Sequence, residues 1–290
     1  MQRDQTGHGI YRGGGPLLYE PWMEHDSCGV GFVADSSGTP SHRILEMALT
    51  CVERVTHRGA VASDAGTGDG AGVMAQIPYK FLEKEVDSLG RHIHNPSDLA
   101  LGMFFLPREG DTLARCLGVA EEAVEEYQLE LVGWREVPVN ASVLGEQAAG
   151  SCPEIRQLLL SRPSLMSEDA FERRLYLIRK SIEKRAQAKG LGSLYVASLS
   201  NRTVVYKGLM VASQLAGFYP DLRDPVFETA IALFHQRYST NTFPSWELAQ
   251  PFRHLGHNGE INTIQGNRNW MRAREPELRS PVWRETVEEM

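Results

Sequence analysis

Cysteine is scarce in this chain, and its spacing excludes two classes of protein. The 290 residues include four cysteines, and no two of them stand as a CxxC pair. Small secreted domains and zinc modules depend on closely spaced cysteines, so neither class is indicated. Thiols this far apart are typical of a reducing compartment, and we expect a cytoplasmic protein. The four residues are Cys28, Cys51, Cys116 and Cys152.

Long apolar runs and blocks of basic residues are also missing. No apolar run approaches the ~18 to 20 residues that cross a bilayer, and no block of about five or six lysines and arginines occurs. The formal net charge of −7 at pH 7 argues against nucleic acid as a partner. We therefore expect one large globular unit with a small-molecule substrate, and neither a membrane nor a nucleic acid as partner.

The sequence patterns of common metal and phosphate sites do not occur. His235, His254 and His257 lie near one another in the chain, but neither HExxH nor a Cys/His pair at zinc spacing is found. The glycine-rich segment from Thr56 to Gly72 lacks the GxxxxGK[ST] pattern of a phosphate-binding loop. We predict that the chain binds no metal ion and that this segment wraps an active site.

The apolar and polar periodicities predict an α+β protein. A strand is expected from Val30 to Ala34, and an amphipathic helix from about Ser41 to Val55. A long helix is expected from about Glu168 to Lys189, followed by a hairpin of Leu194 to Leu199 and Thr203 to Lys207. Strands and helices that occur in runs suit two packed sheets covered by helices.

Cys28 begins the stretch that is most suggestive of chemistry. It is followed at once by Gly29 and by the apolar strand, and glycine allows another segment to approach the backbone closely. A thiol at the mouth of a strand is placed to act as a nucleophile. Free cysteine is also among the residues most often buried, so a structural strand cysteine is the alternative.

Two further motifs stand downstream of Cys28. The first is THRGAVASDAGTGDGAG (Thr56 to Gly72), and the second is FHQRYSTNTFPSWELAQPFRHLGHNGEINT (Phe234 to Thr263). With Cys28 in front, their order resembles that of the class II glutamine amidotransferases, whose mature chains begin with the nucleophilic cysteine. Within this family the chain is most similar to the large subunit of glutamate synthase. The resemblance extends over most of the chain from Cys28 onward.

The resemblance implies a fold and a maturation step. It implies the four-layer αββα sandwich of the N-terminal-nucleophile hydrolases, formed by residues 28–290, with the domain incomplete at its C-terminus. It also implies that residues 1–27 are a leader that is removed to expose Cys28. Composition alone, with three consecutive glycines at 13–15, favours an ordinary disordered tail.

A nucleophile needs a base, and no histidine stands beside Cys28 in a known triad pattern. An α-amino group has a pKa of about 7.7 to 8.0, close to the ~8.5 of a free thiol, so a cysteine at a chain start carries its own base. The amine acts directly or through a water molecule. The histidines of the chain leave a Cys-His hydrolase open as a rival. The candidate bases are His57, His235, His254 and His257.

The resemblance also assigns roles to five other residues. Asn258 and Gly259 match the family's oxyanion pair, the former through its side-chain amide and the latter through its backbone N–H. Arg58 and Arg237 match residues that bind glutamine, and a guanidinium binds a carboxylate bidentately. Thr240 belongs to the same substrate-binding motif. The alternatives are a hairpin turn for the Asn-Gly pair and solvated surface charges for the arginines.

The likeness to glutamate synthase implies partners beyond this chain. Ammonia from L-glutamine would pass to a synthase region or subunit that aminates 2-oxoglutarate with FMN and an iron–sulfur cluster. This chain has neither a cysteine cluster nor a flavin pattern, so both cofactors are expected in the synthase region and none here. The rival functions are another N-terminal-cysteine amide hydrolase and a catalytically silent glutamine-binding or scaffold domain.

Overall fold

The structure is a computed structural model of the chain, and it describes residues 29–93, 95–108, 110–237, 242–253 and 264–283. Within these ranges the chain forms eight β-strands and seven α-helices. The strands make two four-stranded sheets, and every pair of neighbouring strands is antiparallel. A mixed fold with two sheets is therefore confirmed.

The two sheets draw their strands from separate parts of the chain. The first sheet, in the order β1-β8-β2-β7, consists of β1 (Val30–Ala34), β2 (Ala71–Gln76), β7 (Thr203–Gly208) and β8 (Ile231–Gln236). The second sheet, in the order β4-β5-β3-β6, consists of β3 (Leu99–Leu106), β4 (Glu130–Glu136), β5 (Glu154–Ser161) and β6 (Tyr195–Ser200). The helices are α1 (His42–Arg54), α2 (Tyr79–Ser88), α3 (Gly110–Glu126), α4 (Glu146–Gly150), α5 (Glu168–Ala188), α6 (Leu215–Phe218) and α7 (Ile264–Arg274).

Strand β3 shows how the second sheet is packed. All of its residues are buried, and successive side chains of a strand point to opposite faces. Leu101 and Phe105 join an apolar cluster that includes α1 and the first sheet. Phe104 and Leu106 join a second cluster that includes α3 and α5. The second sheet is therefore covered by these two helices on one face and shares a core with the first sheet on the other.

Helix α1 anchors the first sheet. Leu45, Ala48 and Val52 recur at helical spacing and are fully buried, and α1 packs against β8 and β1. The helix follows β1 after a short turn, and an antiparallel bridge between Ser41 and Thr229 ties the start of the helix to the chain before β8. This packing holds β1, which begins two residues after Cys28, in a defined place.

The predicted hairpin of Leu194 to Leu199 and Thr203 to Lys207 is wrong. Both strands exist, as β6 and β7, but β6 pairs with β3 and β7 pairs with β2 in the other sheet. The Val205 N–H donates to the Ser198 hydroxyl instead of to a backbone carbonyl of β6. Alternation along a segment predicts a strand, but the choice of its partner depends on packing between distant segments.

A buried ion pair joins the second sheet to the turn after α6. The Arg135 guanidinium donates to both carboxylate oxygens of Asp221, at 2.8 and 2.9 Å, and both side chains are buried. The Tyr206 hydroxyl also donates to Asp221, at 2.9 Å, and accepts from Gln157 at 2.8 Å. Burial lowers the pKa of Arg135, but its hydrogen bonds and charge interaction with Asp221 more than offset that and raise the pKa above its usual value.

We expect Asp221→Ala to be strongly destabilising. The substitution removes the carboxylate that accepts two of the Arg135 hydrogen bonds, while Nε still lies 2.9 Å from Glu85, and hydrogen bonds to charged groups are worth about 1.5–3 kcal/mol each. The free energy of unfolding would be measured by denaturant titration. The matched control is Asp169→Ala, which removes an exposed ion pair with Arg202 and should cost less than about 1 kcal/mol. Equal losses in the two variants would contradict the prediction.

Candidate active site

One end of the first sheet brings together three segments that the sequence singles out. The backbone N–H of Gln236, the last residue of β8, donates to the carbonyl of Gly29 at 2.6 Å. The next residue, Arg237, donates its backbone N–H to the carbonyl of Gly70 at 2.8 Å, just before β2 begins. Gly29, the glycine-rich loop and the second motif therefore share this end of the sheet.

Two glycines are needed here because Gln236 lies against them. A Cβ atom on Gly29 would lie 2.2 Å from the Gln236 carbonyl oxygen and 3.6 Å from Cβ of Arg58. A Cβ atom on Gly59 would lie 2.1 Å from Nε2 of Gln236. Real Cβ atoms do not approach other atoms so closely, so only glycine fits without displacement. The same distances show that Arg58 adjoins the residue that follows Cys28.

We expect Gly29→Ala to impair the site more than it impairs the fold. The added methyl group would push the start of β1 away from the Gln236 carbonyl, and a displacement of about 1 Å at a reacting group can cost about 10²-fold in rate. The measurements are kcat for glutamine, the substrate that the resemblance implies, and the melting temperature. Gly118→Ala on α3 is the control, because no atom lies within 4 Å of its added Cβ. A wild-type kcat for Gly29→Ala would refute the prediction.

Arg58 carries a buried hydrogen-bond donor. It lies in a short 3₁₀ turn, Thr56–Arg58, that follows α1. Its Nε atom is buried and has no hydrogen-bond partner within the described residues. A buried guanidinium N–H without an acceptor is costly, and a ligand carboxylate would supply one. His57 beside it is exposed and projects from the same turn.

Arg237 is held by the glycine-rich loop. One guanidinium nitrogen donates to the carbonyl of Asp69 at 3.3 Å, and the other donates to the Thr242 hydroxyl at 2.8 Å. Burial lowers the pKa of Arg237, and the charge of Asp69 acts in the opposite direction. The two predicted substrate-binding arginines thus stand on segments that meet through Gly59 and Gln236.

The glycine-rich loop is shaped by its own side chains. The Asp64 carboxylate accepts from the backbone N–H groups of Gly66, Thr67 and Gln147, and from the Thr67 hydroxyl at 2.6 Å. These bonds, that of the hydroxyl above all, hold the pKa of Asp64 below its usual value. Their contribution to stability is therefore present above the ordinary carboxyl pKa and is lost as the pH falls below it. The bonds of Asp64 therefore fix the shape of this part of the loop.

Lys207 is a residue of this region that the sequence reading missed. It is fully buried on β7, and its ammonium donates to the carbonyls of Glu247 and Ala249, at 2.9 and 2.7 Å, and to the Tyr195 hydroxyl. Burial lowers the pKa of Lys207 to about 7. The segment that contains Glu247 and Ala249 also passes close to Gly72. A Cβ atom on Gly72 would lie 2.6 Å from the carbonyl oxygen of Gln250, so only glycine leaves room for that segment. The sequence feature that could have identified Lys207 is a lysine within a largely apolar strand.

Several predicted site residues lie outside the described part of the chain. They are Cys28, Thr240, Asn258 and Gly259, together with the rival bases His254 and His257. Their roles stay predictions. His235, the other rival base on β8, is buried in the sheet opposite Val30 and Gly72.

The described residues include neither a metal-binding group nor a membrane-spanning helix. No group of three or more His, Cys, Asp and Glu side chains in these ranges is placed to hold a metal ion. Among the helices described, none combines the length and the apolar character needed to cross a bilayer.

Comparison with known proteins gives a consistent set of relatives. The family profile described as "Glutamine amidotransferases class-II" matches residues 28–290. The chain is 45% identical over 266 residues to the glutamate synthase [NADPH] large chain of Azospirillum brasilense, covering 91% of this chain and 18% of that relative. It is 44% identical to ferredoxin-dependent glutamate synthase 2 of Synechocystis, covering 92% and 17%, and 42% identical to the glutamate synthase [NADPH] large chain of Bacillus subtilis, covering 93% and 18%. The chain therefore spans less than a fifth of the length of these relatives.

Proposed function

This chain belongs to the class II glutamine amidotransferases, and we propose that it hydrolyses L-glutamine to glutamate and ammonia through a thioester on Cys28. One observation carries the proposal beyond family membership. The segments that carry Arg58, whose buried Nε has no partner among the described residues, and Arg237 meet at the end of the sheet where Gly29 lies. Two guanidinium groups beside a nucleophile suit a substrate that carries both a carboxylate and an amide.

The proposed reaction begins with proton transfer. The free α-amino group of Cys28 takes the thiol proton, and the thiolate attacks the amide carbon of glutamine. The resulting oxyanion accepts hydrogen bonds from the Asn258 side chain and the Gly259 N–H. A preorganised donor at such a position is worth about 2.7–4 kcal/mol of barrier. The tetrahedral intermediate expels ammonia, which carries away the proton that the amine had taken.

The second half of the reaction releases glutamate. Water attacks the γ-glutamyl thioester with the Cys28 amine again acting as base, and the C–S bond breaks to restore the thiol. Throughout both steps Arg58 and Arg237 hold the α-carboxylate of the substrate, and the Thr240 hydroxyl contributes to the same pocket. The arginines thereby place the amide carbon within reach of the sulfur.

The finer architecture belongs to the same proposal. We assign residues 28–290 to a four-layer αββα sandwich of the N-terminal-nucleophile hydrolase type, with residues 1–27 as a leader that is removed. The two antiparallel sheets, α1 against the first sheet, and α3 and α5 against the second support this assignment. The three described cysteines are all free thiols, which supports a cytoplasmic location.

The relatives suggest the fate of the ammonia. Each of the three is named as a glutamate synthase, and we extend that to this chain by proposing that ammonia passes to a synthase region that aminates 2-oxoglutarate. FMN and an iron–sulfur cluster would be bound in that region.

The proposal is tested by offering the processed protein L-glutamine and L-asparagine in parallel. We expect glutamate and ammonia in equal amounts from glutamine and at least about a hundredfold lower kcat/KM for asparagine, because the arginines set the distance from carboxylate to amide. Preference for another amide would favour the rival hydrolase. Tight glutamine binding without turnover would favour the silent domain.

The synthase assignment needs a separate measurement. The full-length protein would be given glutamine labelled with ¹⁵N in its amide, together with 2-oxoglutarate and a reductant. We expect the label in the α-amino group of newly formed glutamate. Label that stays entirely in free ammonia would count against a linked synthase.

A further inference from the structure

Gln236 forms hydrogen bonds with several segments of the candidate site, although it has no role in the proposed reaction. It is only 1% exposed. Its side-chain oxygen accepts from the Ala212 N–H at 2.9 Å, and its Nε2 donates to the carbonyls of Gly70 and Arg237 at 3.4 and 3.2 Å. Its backbone N–H holds Gly29. All three polar groups are thus occupied by other segments of the chain.

The partners of Gln236 stand next to the predicted functional residues. Gly29 follows Cys28, and Gly59, against which the amide of Gln236 packs, follows Arg58. Arg237 is the next residue in the chain and also accepts a bond at its carbonyl. One buried side chain and its backbone therefore touch the neighbours of the nucleophile and of both arginines.

We propose that Gln236 is a positioning residue, which sets the spacing of Arg58 and Arg237 relative to the strand of the nucleophile. This inference rests on the proposed function. Gln236 does not touch the substrate and acts only through the groups it holds. Without Gln236, both arginine side chains become more mobile. Ordering them around the α-carboxylate then costs more conformational entropy, and the substrate binds more weakly.

Glutamine suits this position because it both accepts and donates. Methionine has similar length but leaves the Ala212 N–H and the Gly70 carbonyl without these bonds. Glutamate keeps the acceptor and the volume but cannot donate from the second oxygen when it is ionised. Gln236→Met therefore removes every hydrogen bond of the side chain, whereas Gln236→Glu removes only the two that Nε2 donates.

The matched control is Gln214, which has the same bonding pattern away from the arginines. Its side-chain oxygen accepts from the Val211 N–H, and its Nε2 donates to the carbonyls of Gly66 and Val143, each at 2.8 Å. Gln214→Met removes as many side-chain bonds as Gln236→Met. Any change in KM, Kd or melting temperature in Gln214→Met therefore measures the effect of losing buried hydrogen bonds that do not hold the arginines.

The experiment measures KM and kcat for glutamine, the Kd for L-glutamate by calorimetry, and the melting temperature in the full-length processed protein. We expect Gln236→Met to raise KM and Kd at least tenfold, and Gln214→Met to change both less than twofold at a similar loss of melting temperature. Gln236→Glu is expected to raise KM and Kd severalfold with the volume kept, and it decides the question if the methionine variant does not fold.

Two outcomes would overturn the inference. If Gln236→Met and Gln236→Glu lower only the melting temperature and leave KM and Kd as in Gln214→Met, Gln236 is structural while the proposed function stands. If the wild type neither binds nor hydrolyses glutamine, the proposed function fails and this inference fails with it.

Discussion

Replacing Cys28 with alanine is expected to lower kcat for glutamine by a factor on the order of 10⁴ or more. The thioester cannot form without the sulfur, and only binding and polarisation of the amide remain. Cys28→Ser keeps an oxygen nucleophile of much higher pKa, so it should also lose most of the activity. The measurements are kcat and the mass of the enzyme quenched during turnover, which should show the added γ-glutamyl group in the wild type only.

A second cysteine provides the control for this prediction. Cys51 lies on α1 as a half-buried free thiol, so Cys51→Ala tests whether any loss comes from removing a thiol as such. We expect its kcat to stay within about twofold of the wild type, because alanine keeps the helix and removes only a half-buried sulfur that packs against the apolar core. Undiminished hydrolysis by Cys28→Ala would refute the mechanism.

Retention of residues 1–27 is expected to suppress hydrolysis by about 10³-fold. While Ser27 is attached, the nitrogen of Cys28 is a peptide amide, which has no basic lone pair and cannot accept the thiol proton. Cleavage between Ser27 and Cys28 creates an amine with a pKa of about 7.7 to 8.0. Because that amine must be unprotonated to act as base, the activity of the processed protein should rise with pH through this range.

Intact mass and glutaminase activity, measured on the same sample, test this prediction. A chain that begins directly at Cys28 is the matched control, and it should be active without any processing step. Full activity in a preparation shown to retain Met1 to Ser27 would refute the requirement for cleavage and would point to another residue as the base.

Local pattern was sufficient wherever neighbours in sequence decide the conformation. The strand predicted from Val30 to Ala34 is confirmed residue for residue. It ends where the Asp35 carboxylate accepts from the backbone N–H groups of Ser37 and Thr39 and turns the chain. The helix predicted from about Ser41 to Val55 is observed as His42–Arg54, because its apolar residues repeat at helical spacing.

Local pattern failed where a polar residue is buried by a distant partner. The sequence reading did not predict β5, although its Leu158 and Leu159 are fully buried, because Arg156 and Gln157 give its first half a polar character. Gln157 lies in the core all the same, since it bonds to Tyr206 and Arg135 from other strands. Hydrogen bonds between residues so distant in the chain do not produce a periodic pattern of apolar and polar residues.

The family, the predicted reaction and the residues predicted to perform it can be inferred from the chain alone, because the order of the motifs and the chemistry of Cys28, Arg58 and Arg237 are properties of the sequence. That the segments of Arg58 and Arg237 meet beside Gly29, and that Gln236 joins them, is evident only in the folded protein. Those segments are separated by long stretches of chain. Their meeting depends on how β1, β2 and β8 pair and how α1 packs on them, and no local propensity encodes such long-range contacts.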